Sequence, residues 1–402
     1  MVALNRSFLA ALEQSPRDYE VYVLEERELY EAEPGAYRSP VVRGIRFGDY
    51  QQSDAFMPAA HAWHDELGFD VVVPGLEYAV GGAYAFAGRV GLVTPGASAV
   101  SCFTNKHNLR LACRRIGVPQ PRFAKVQSVD DVVSFFGGGP IVLKPTNRRA
   151  SVGVVRIDAI DDAAAAWAES TAADEGKKVA SRNLAWEYMA EDFVGGYEVS
   201  VETLVADHQP CFHNVTYKET VGGRYFAETG HTVPAPLPDD DRAALVAAKE
   251  RMLRGLGVPA GLFHSEWKVT PDGPHLIECA ARAPGDLIPE LIGEAYGFNL
   301  YDAFVDVLTG RVPQVPRVAS KTAAVRYFTP PPGRFVRIDG LDLLDSLPQL
   351  MRRRVNLEPG QAIRPIKDSW TRVGYYALRC DSLAELHDLL GRIEREVRFV
   401  VA

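Results

Sequence analysis

Leu262-Phe-His-Ser-Glu266-Trp-Lys268-Val269, then Thr270-Pro-Asp-Gly-Pro274, then His275-Leu-Ile-Glu278-Cys-Ala-Ala-Arg282-Ala-Pro-Gly285-Asp286: this stretch decides how the chain is read. Two apolar runs flank Pro, Asp and Gly, the residues of a tight turn, so the segment predicts a hairpin of two strands. Each strand carries one carboxylate, Glu266 and Glu278, in an otherwise apolar context. Unpaired buried carboxylates are costly, and two that face each other usually share a cation. Oxygen-only ligands favour Mg²⁺ or Mn²⁺ over zinc. Arg282, just beyond, is placed to neutralise a transferring phosphoryl group. The bland alternative is a structural salt bridge among Glu266, Lys268 and Arg282.

Working upstream, Glu191-Asp-Phe-Val-Gly-Gly-Tyr-Glu198-Val-Ser-Val-Glu202 sets two carboxylates seven residues apart around a Gly turn. A carboxylate can accept both hydroxyl hydrogen bonds of a ribose, and a strand edge can pair with adenine through its backbone. An acidic hairpin in solvent would look the same in isolation. Before it come two lysines: Lys106 opens a helix after a turn, and Lys144 ends the apolar strand Pro140-Ile-Val-Leu-Lys144-Pro145. A lysine at the mouth of a buried strand keeps its stem in the core and its ammonium in a cleft, which suits phosphate. The small basic turn Thr146-Asn-Arg-Arg-Ala-Ser151-Val-Gly-Val154 follows and can close its backbone N–H groups over phosphates. GxxxxGK[ST] is absent, and no GxGxxG follows the first strand, so neither a Walker A loop nor a dinucleotide site is indicated.

Outward from these motifs the chain reads as α/β. Strands are expected at Tyr19–Leu24, Phe69–Pro74, Arg122–Val126, Ile141–Lys144, within 184–202, near Tyr217 and Phe226, at 262–269 and 275–279, and at 323–328 and 373–378. Helices are expected at 77–88, 105–116, 129–136, 158–169, 239–256 and 383–397. The boundaries that follow are an N-terminal α/β unit over 1–95, two units over 96–185 and 186–312, and a small C-terminal unit over 313–402 that covers the cleft. The 402 residues are 47% hydrophobic and 24% charged with a net charge of −8. That is a globular mix without the basic face that general nucleic-acid binding needs. Five scattered cysteines without a CxxC pair indicate neither a disulfide framework nor a zinc site. No apolar run approaches a membrane span, so a soluble cytoplasmic protein is expected, without nucleic-acid or membrane partners.

In this order, the segments resemble the ATP-grasp superfamily, on the carboxylate–amine ligase branch that includes L-amino acid (dipeptide) ligases and carnosine synthases. The resemblance covers roughly residues 70 to 310 and includes Gly230-His231-Thr-Val-Pro-Ala-Pro. It implies an ATP-grasp fold with a Rossmann-like N-terminal domain and a small C-terminal α+β subdomain. It implies ATP and Mg²⁺ (or Mn²⁺) as cofactors, and carboxylate and amine substrates, one an amino acid. Lys106, Lys144, Ser151 and Lys218 would contact the nucleotide. Glu191 with the backbone of Phe193 and Val194 would hold adenine, and Glu198 ribose. Glu266 and Glu278 would ligate the metal, and Arg282 would stabilise an acyl phosphate, with Lys218 near the phosphates. Gly285 and Asp286 would line the acid or amine site, with His231 near the acceptor. A homodimer is common among such ligases. One departure stands out: Ala280 occupies the place where many relatives carry Asn as a third metal ligand. Glu187 is an alternative adenine hinge, and Arg224 or Arg326 could hold a substrate carboxylate. The loops at Asn147–Gly153 and Val221–Arg224 are candidate lids. An ATP-binding regulator that has lost catalysis, or a carboxylase-type ATP-grasp enzyme, would share most of these residues.

Overall fold

The computed structural model describes residues 1–176 and 179–402. Near the N-terminus, strands β1 (Val21–Glu25) and β2 (Val42–Phe47) pair in parallel. β2 escapes the sequence pattern because Arg43, Gly44 and Arg46 interrupt its apolar run. A Cβ at Gly44 would lie 3.2 Å from the rings of Trp63 and Tyr22, a tight contact. The run Phe69–Pro74, expected to be a strand, is extended but not part of a ladder. Its neighbour is only the first few residues, through Val2 N–H to Val73 O and Gly75 N–H to Val2 O.

Next comes a small antiparallel sheet of β3 (Phe123–Val126), β4 (Ile141–Pro145), β5 (Val155–Ile157) and β6 (Tyr188–Asp192), in the order β3-β6-β4-β5. The helix Lys106–Ile116 precedes it, capped by the Asn105 side chain and ended by Gly117 in the left-handed region. A helix at Ala163–Thr171 covers the small sheet.

The large sheet is antiparallel and eight-stranded. It uses β7 (Tyr197–Ala206), β8 (Gln209–Thr220), β9 (Glu228–Val233), β10 (Gly261–Thr270), β11 (Gly273–Ala280) and β12 (Thr322–Tyr327). β13 (Gly333–Asp339) leaves it; β14 (Leu350–Val355) returns; β15 (Ala362–Ile363) leaves; β16 (Gly374–Cys380) returns; β17 (Arg398–Val401) closes the chain beside β13. The order is β11-β10-β7-β8-β9-β12-β16-β14. Residue 313 therefore falls in a connection, but the strands beyond it extend the same sheet.

Helix Asp239–Gly255 packs on one face of this sheet, where Lys249 donates to Ser265 Oγ and Phe263 O. On the other face the rings of Phe212 and Tyr296, 5.2 Å apart, seat helix Ile288–Tyr296. That helix and its successor, Leu300–Leu308, are absent from the sequence pattern; Gly297 and the Asn299 cap separate them. The rest of the second face forms the floor of a cleft. Among the described residues no helix is long and apolar enough to cross a membrane.

Candidate active site

Strand alternation builds the cleft floor. Side chains at every second position share a face, and cross-strand partners point the same way. Register aligns His231, Lys218, Glu198 and Lys268 across β9, β8, β7 and β10. The next row is Thr216, Ser200, Glu266 and Glu278, across β8, β7, β10 and β11. The third is Asn214, Glu202, His264 and Ala280. The expected hairpin forms from β10 and β11, and a register shift between Glu266 and Trp267 makes Glu266 and Glu278 direct partners.

The alternative reading, a salt bridge among Glu266, Lys268 and Arg282, is not what forms. Glu266 pairs with Lys218 at 2.7 Å, Lys268 with Glu198 at 3.0 Å, and Arg282 with Glu77 of the N-terminal unit at 2.5 Å. Lys218 also lies 2.8 Å from Glu198 and 3.4 Å from Glu228. Burial disfavours its ammonium, yet the three carboxylates raise its pKa well above the lysine range. Burial likewise works against ionised Glu266, but Lys218 and then His264 hold its pKa far below the usual carboxylate value. His264 sits 2.9 Å from Glu202 and 3.4 Å from Glu266, and these acids outweigh burial to raise its pKa.

The small sheet forms the opposite wall. Val142 pairs with Glu191, so Val142, Lys144 and Glu191 share one face. Glu191 is buried in an ion-pair cluster with Lys144 and with Arg110, whose Nη2 lies 2.8 Å away. Burial opposes the Glu191 charge, but Arg110 and Lys144 keep its pKa below normal. Arg110 was not anticipated; it sits inside a helix read only for its apolar face, and its charge is fully buried. Glu187 does not line the cleft and pairs instead with Lys125 at 2.7 Å. The Phe193 N–H is taken by Pro140 O. Gly196, at φ +89°, lets the link from β6 to β7 pass under β10; a Cβ there would be 2.0 Å from Val269 O.

The basic turn closes the top. Lys106 donates its backbone N–H to Thr146 O and its Nζ to Arg148 O, and lies 3.1 Å from Glu278. Thr146 Oγ1 and the Nε atoms of Arg148 and Arg149 are buried without a hydrogen-bond partner. The nearest anion to both arginines is Glu175, at 3.9 and 3.8 Å. A site with spare buried donors fits an anionic ligand.

Lys106, Lys144, Ser151, Glu191, Phe193, Val194, Glu198, Lys218, His231, Glu266, Glu278, Arg282, Gly285 and Asp286 all line this one cleft. Arg224 and Arg326 do not; they pair with Glu169 and Glu219. Sequence reasoning missed Glu77, Glu228 and Arg372, which also line it. Glu228 stands on a strand edge next to Gly230-His231; Glu77 and Arg372 come from distant segments with no motif of their own. Glu266 and Glu278 side by side offer oxygen donors suited to Mg²⁺, while Ala280 adds none. Among the described residues no group of three or more His, Cys, Asp and Glu is arranged to hold a metal ion. Bound phosphate oxygens and water would therefore have to complete the shell.

Residues 138–290 match the family described as ATP-grasp domain, and residues 326–402 match L-amino acid ligase C-terminal domain 2. An alanine–anticapsin ligase of Bacillus subtilis is 29% identical over 250 residues, 57% of this chain and 52% of that protein. Carnosine synthase 1 of Gallus gallus is 37% identical over 91 residues, 23% of this chain and 10% of that protein. The chain thus spans about half the length of the first relative. The crystal structure of L-amino acid ligase from Bacillus licheniformis superposes with a TM-score of 0.81 at 20% identity, covering 100% of this chain and 98% of that one. The fold is shared with that structure, and the matched stretches correspond to an ATP-grasp domain and to the second C-terminal domain of L-amino acid ligases. These similarities match the ATP-grasp carboxylate–amine ligase branch.

Proposed function

We propose that the protein is an ATP-dependent ligase that joins a carboxylate to an amine, with an amino acid as one substrate, and releases ADP and phosphate. One observation carries this reading: Lys106, Lys144 and Lys218 converge with the partnered carboxylates Glu266 and Glu278 on a single cleft. Amide formation from a carboxylate and an amine is uphill in water. The substrate carboxylate attacks the γ-phosphorus of ATP, giving an acyl phosphate and ADP. A neutral amine then attacks the acyl carbon, and phosphate leaves. No covalent enzyme nucleophile is needed; positioning and charge neutralisation suffice.

In this reading Lys144, Glu191 and Val194 take the adenine side, Glu198 the ribose, and Lys106, Ser151, Arg148 and Arg149 the phosphates. Glu266 and Glu278 hold magnesium, which supplies charge neutralisation on the phosphates. Lys218 and Arg282 stabilise the transferring phosphoryl group, and Glu77 orients Arg282. The basic turn at Asn147–Gly153 shields the acyl phosphate from water.

Alanine, other amino acids and small carboxylates, screened pairwise with ATP and Mg²⁺ for phosphate release and for product mass, test the proposal. An amide product with stoichiometric ADP is expected. Ala280 favours one rival, an ATP-binding regulator; tight ATP binding with no turnover on any pair would support that instead.

A further inference from the structure

Beside the basic turn, a turn of the C-terminal unit reaches into the cleft. Ser369 N–H donates to Ala150 O of the basic turn, and Ser369 Oγ to Glu228. Arg372 forks onto Asp286, with Nη1 to Oδ2 and Nη2 to Oδ1 both at 2.7 Å. Its guanidinium lies 3.7 Å from the ring centroid of Tyr327, whose phenol also stands against Asp286. Asp286 is held in the left-handed region at φ +55°, unusual for a non-glycine residue. Its Oδ2 lies 3.1 Å from Nε2 of His231.

This geometry fixes a tautomer. Burial works against the Asp286 charge, but Arg372 and then His231 hold its pKa well below normal, so it accepts and does not donate. The hydrogen between the two residues therefore sits on His231 Nε2, so that in the neutral ring Nδ1 is the nitrogen that carries the lone pair. His231 is 1% exposed, lines the cleft, and its Nδ1 has no hydrogen-bond partner. A buried polar atom left unpaired in a cleft wall calls for a partner that the protein does not supply. The neighbours of the ring are Lys218 in the same row, Tyr327 edge-on at 6.5 Å, and Asp286 with Arg372 behind it.

We propose that His231 Nδ1 takes the proton from the incoming ammonium substrate, with Asp286 and Arg372 as positioning residues that hold the ring and its tautomer. The inference rests on the ligase reading and assigns a proton acceptor within it. An amine is almost wholly protonated near neutral pH and cannot attack until it loses a proton. The proton passes from the ammonium to Nδ1, leaving an imidazolium stabilised by Asp286. The nitrogen lone pair forms the C–N bond as the acyl C–O bond to phosphate breaks. The second proton lost from nitrogen leaves with the phosphate, and the imidazolium returns its proton to solvent. The substrate class is a primary amine that arrives charged, such as an amino acid.

Hydroxylamine separates this role from a structural one, because it is already neutral at pH 7 and captures acyl phosphates without a base. With the full chain, ATP and Mg²⁺, His231→Gln is expected to lower kcat/KM for the amino-acid acceptor about 10²–10⁴-fold. Its hydroxamate formation should stay near the parent level. Asp286→Asn should give the same pattern. Equal loss of amide and hydroxamate in His231→Gln would overturn the assignment, as would an unchanged amide rate. Should the parent protein give no ADP with any acid, hydroxylamine included, the ligase reading itself fails, which is a distinct outcome.

Discussion

Lys218 Nζ lies 2.7 Å from Glu266 Oε1, one row away on the cleft floor, so a lysine of β8 and an acid of β10 neutralise each other. ATP and magnesium would have to divide this pair between phosphate and metal. Lys218→Met should lower turnover about a hundredfold, the usual loss of about 3 kcal/mol when one preorganised contact to a developing charge is removed. Steady-state ADP release at saturating substrates reads this, and unchanged turnover would count against it.

Glu278→Ala and Arg282→Ala should each lose at least as much, about a hundredfold. Circular dichroism and urea unfolding check that the fold survives, since both side chains face the cleft rather than the core. Near-parental turnover in either variant removes its assigned role.

Glu191→Gln should raise the KM for ATP far more than Glu187→Gln. Glu191 lines the cleft beside Lys144, whereas Glu187 turns outward to Lys125. The two Michaelis constants, measured side by side, decide the hinge.

Arg110→Ala should destabilise the protein by about 3–5 kcal/mol, the usual cost of stripping one partner from a buried ion pair. It would leave Glu191 with Lys144 alone and Ile277 O without its donor at 2.8 Å. A urea midpoint close to the parent's would contradict this.

The same cluster sets an acid limit. Glu191 has a folded pKa below its unfolded value of about 4.3, so its contribution is complete above that pH and disappears as pH falls through the folded value. Unfolding free energy should therefore drop on acidification below about pH 5, and the drop should be shallower in Glu191→Gln. An identical acid limb in both proteins would exclude Glu191 as its source.

Much of the floor was legible before any coordinates. Polar residues at every second position in apolar strands, such as Glu198-Val-Ser-Val-Glu202 and His264-Ser-Glu-Trp-Lys268, announce one wet face. The Pro-Asp-Gly turn sets the pairing only as far as Trp267 with Leu276; a register shift beyond it, invisible in the sequence, brings Glu266 opposite Glu278. What stayed hidden was contact across distance. Arg110 and Glu191 are 81 residues apart and Glu77 and Arg282 are 205 apart, and neither periodicity nor spacing couples them. The strand β2 was hidden by its arginines, and Phe69–Pro74 looked like a strand because apolarity alone does not say whether a neighbour exists to pair with.

The unbroken hydrogen bonding from β11 to β14 has a mechanical consequence. Arg372 follows immediately after the Asp368–Thr371 capping box and precedes β16, so its fork on Asp286 is anchored to the same rigid slab that carries Lys218 and Glu266. The segment past residue 313 cannot swing as an independent flap without tearing β9 from β12. Freedom to move as a body is left to the four-stranded sheet bearing Lys144, which no ladder joins to the eight-stranded one.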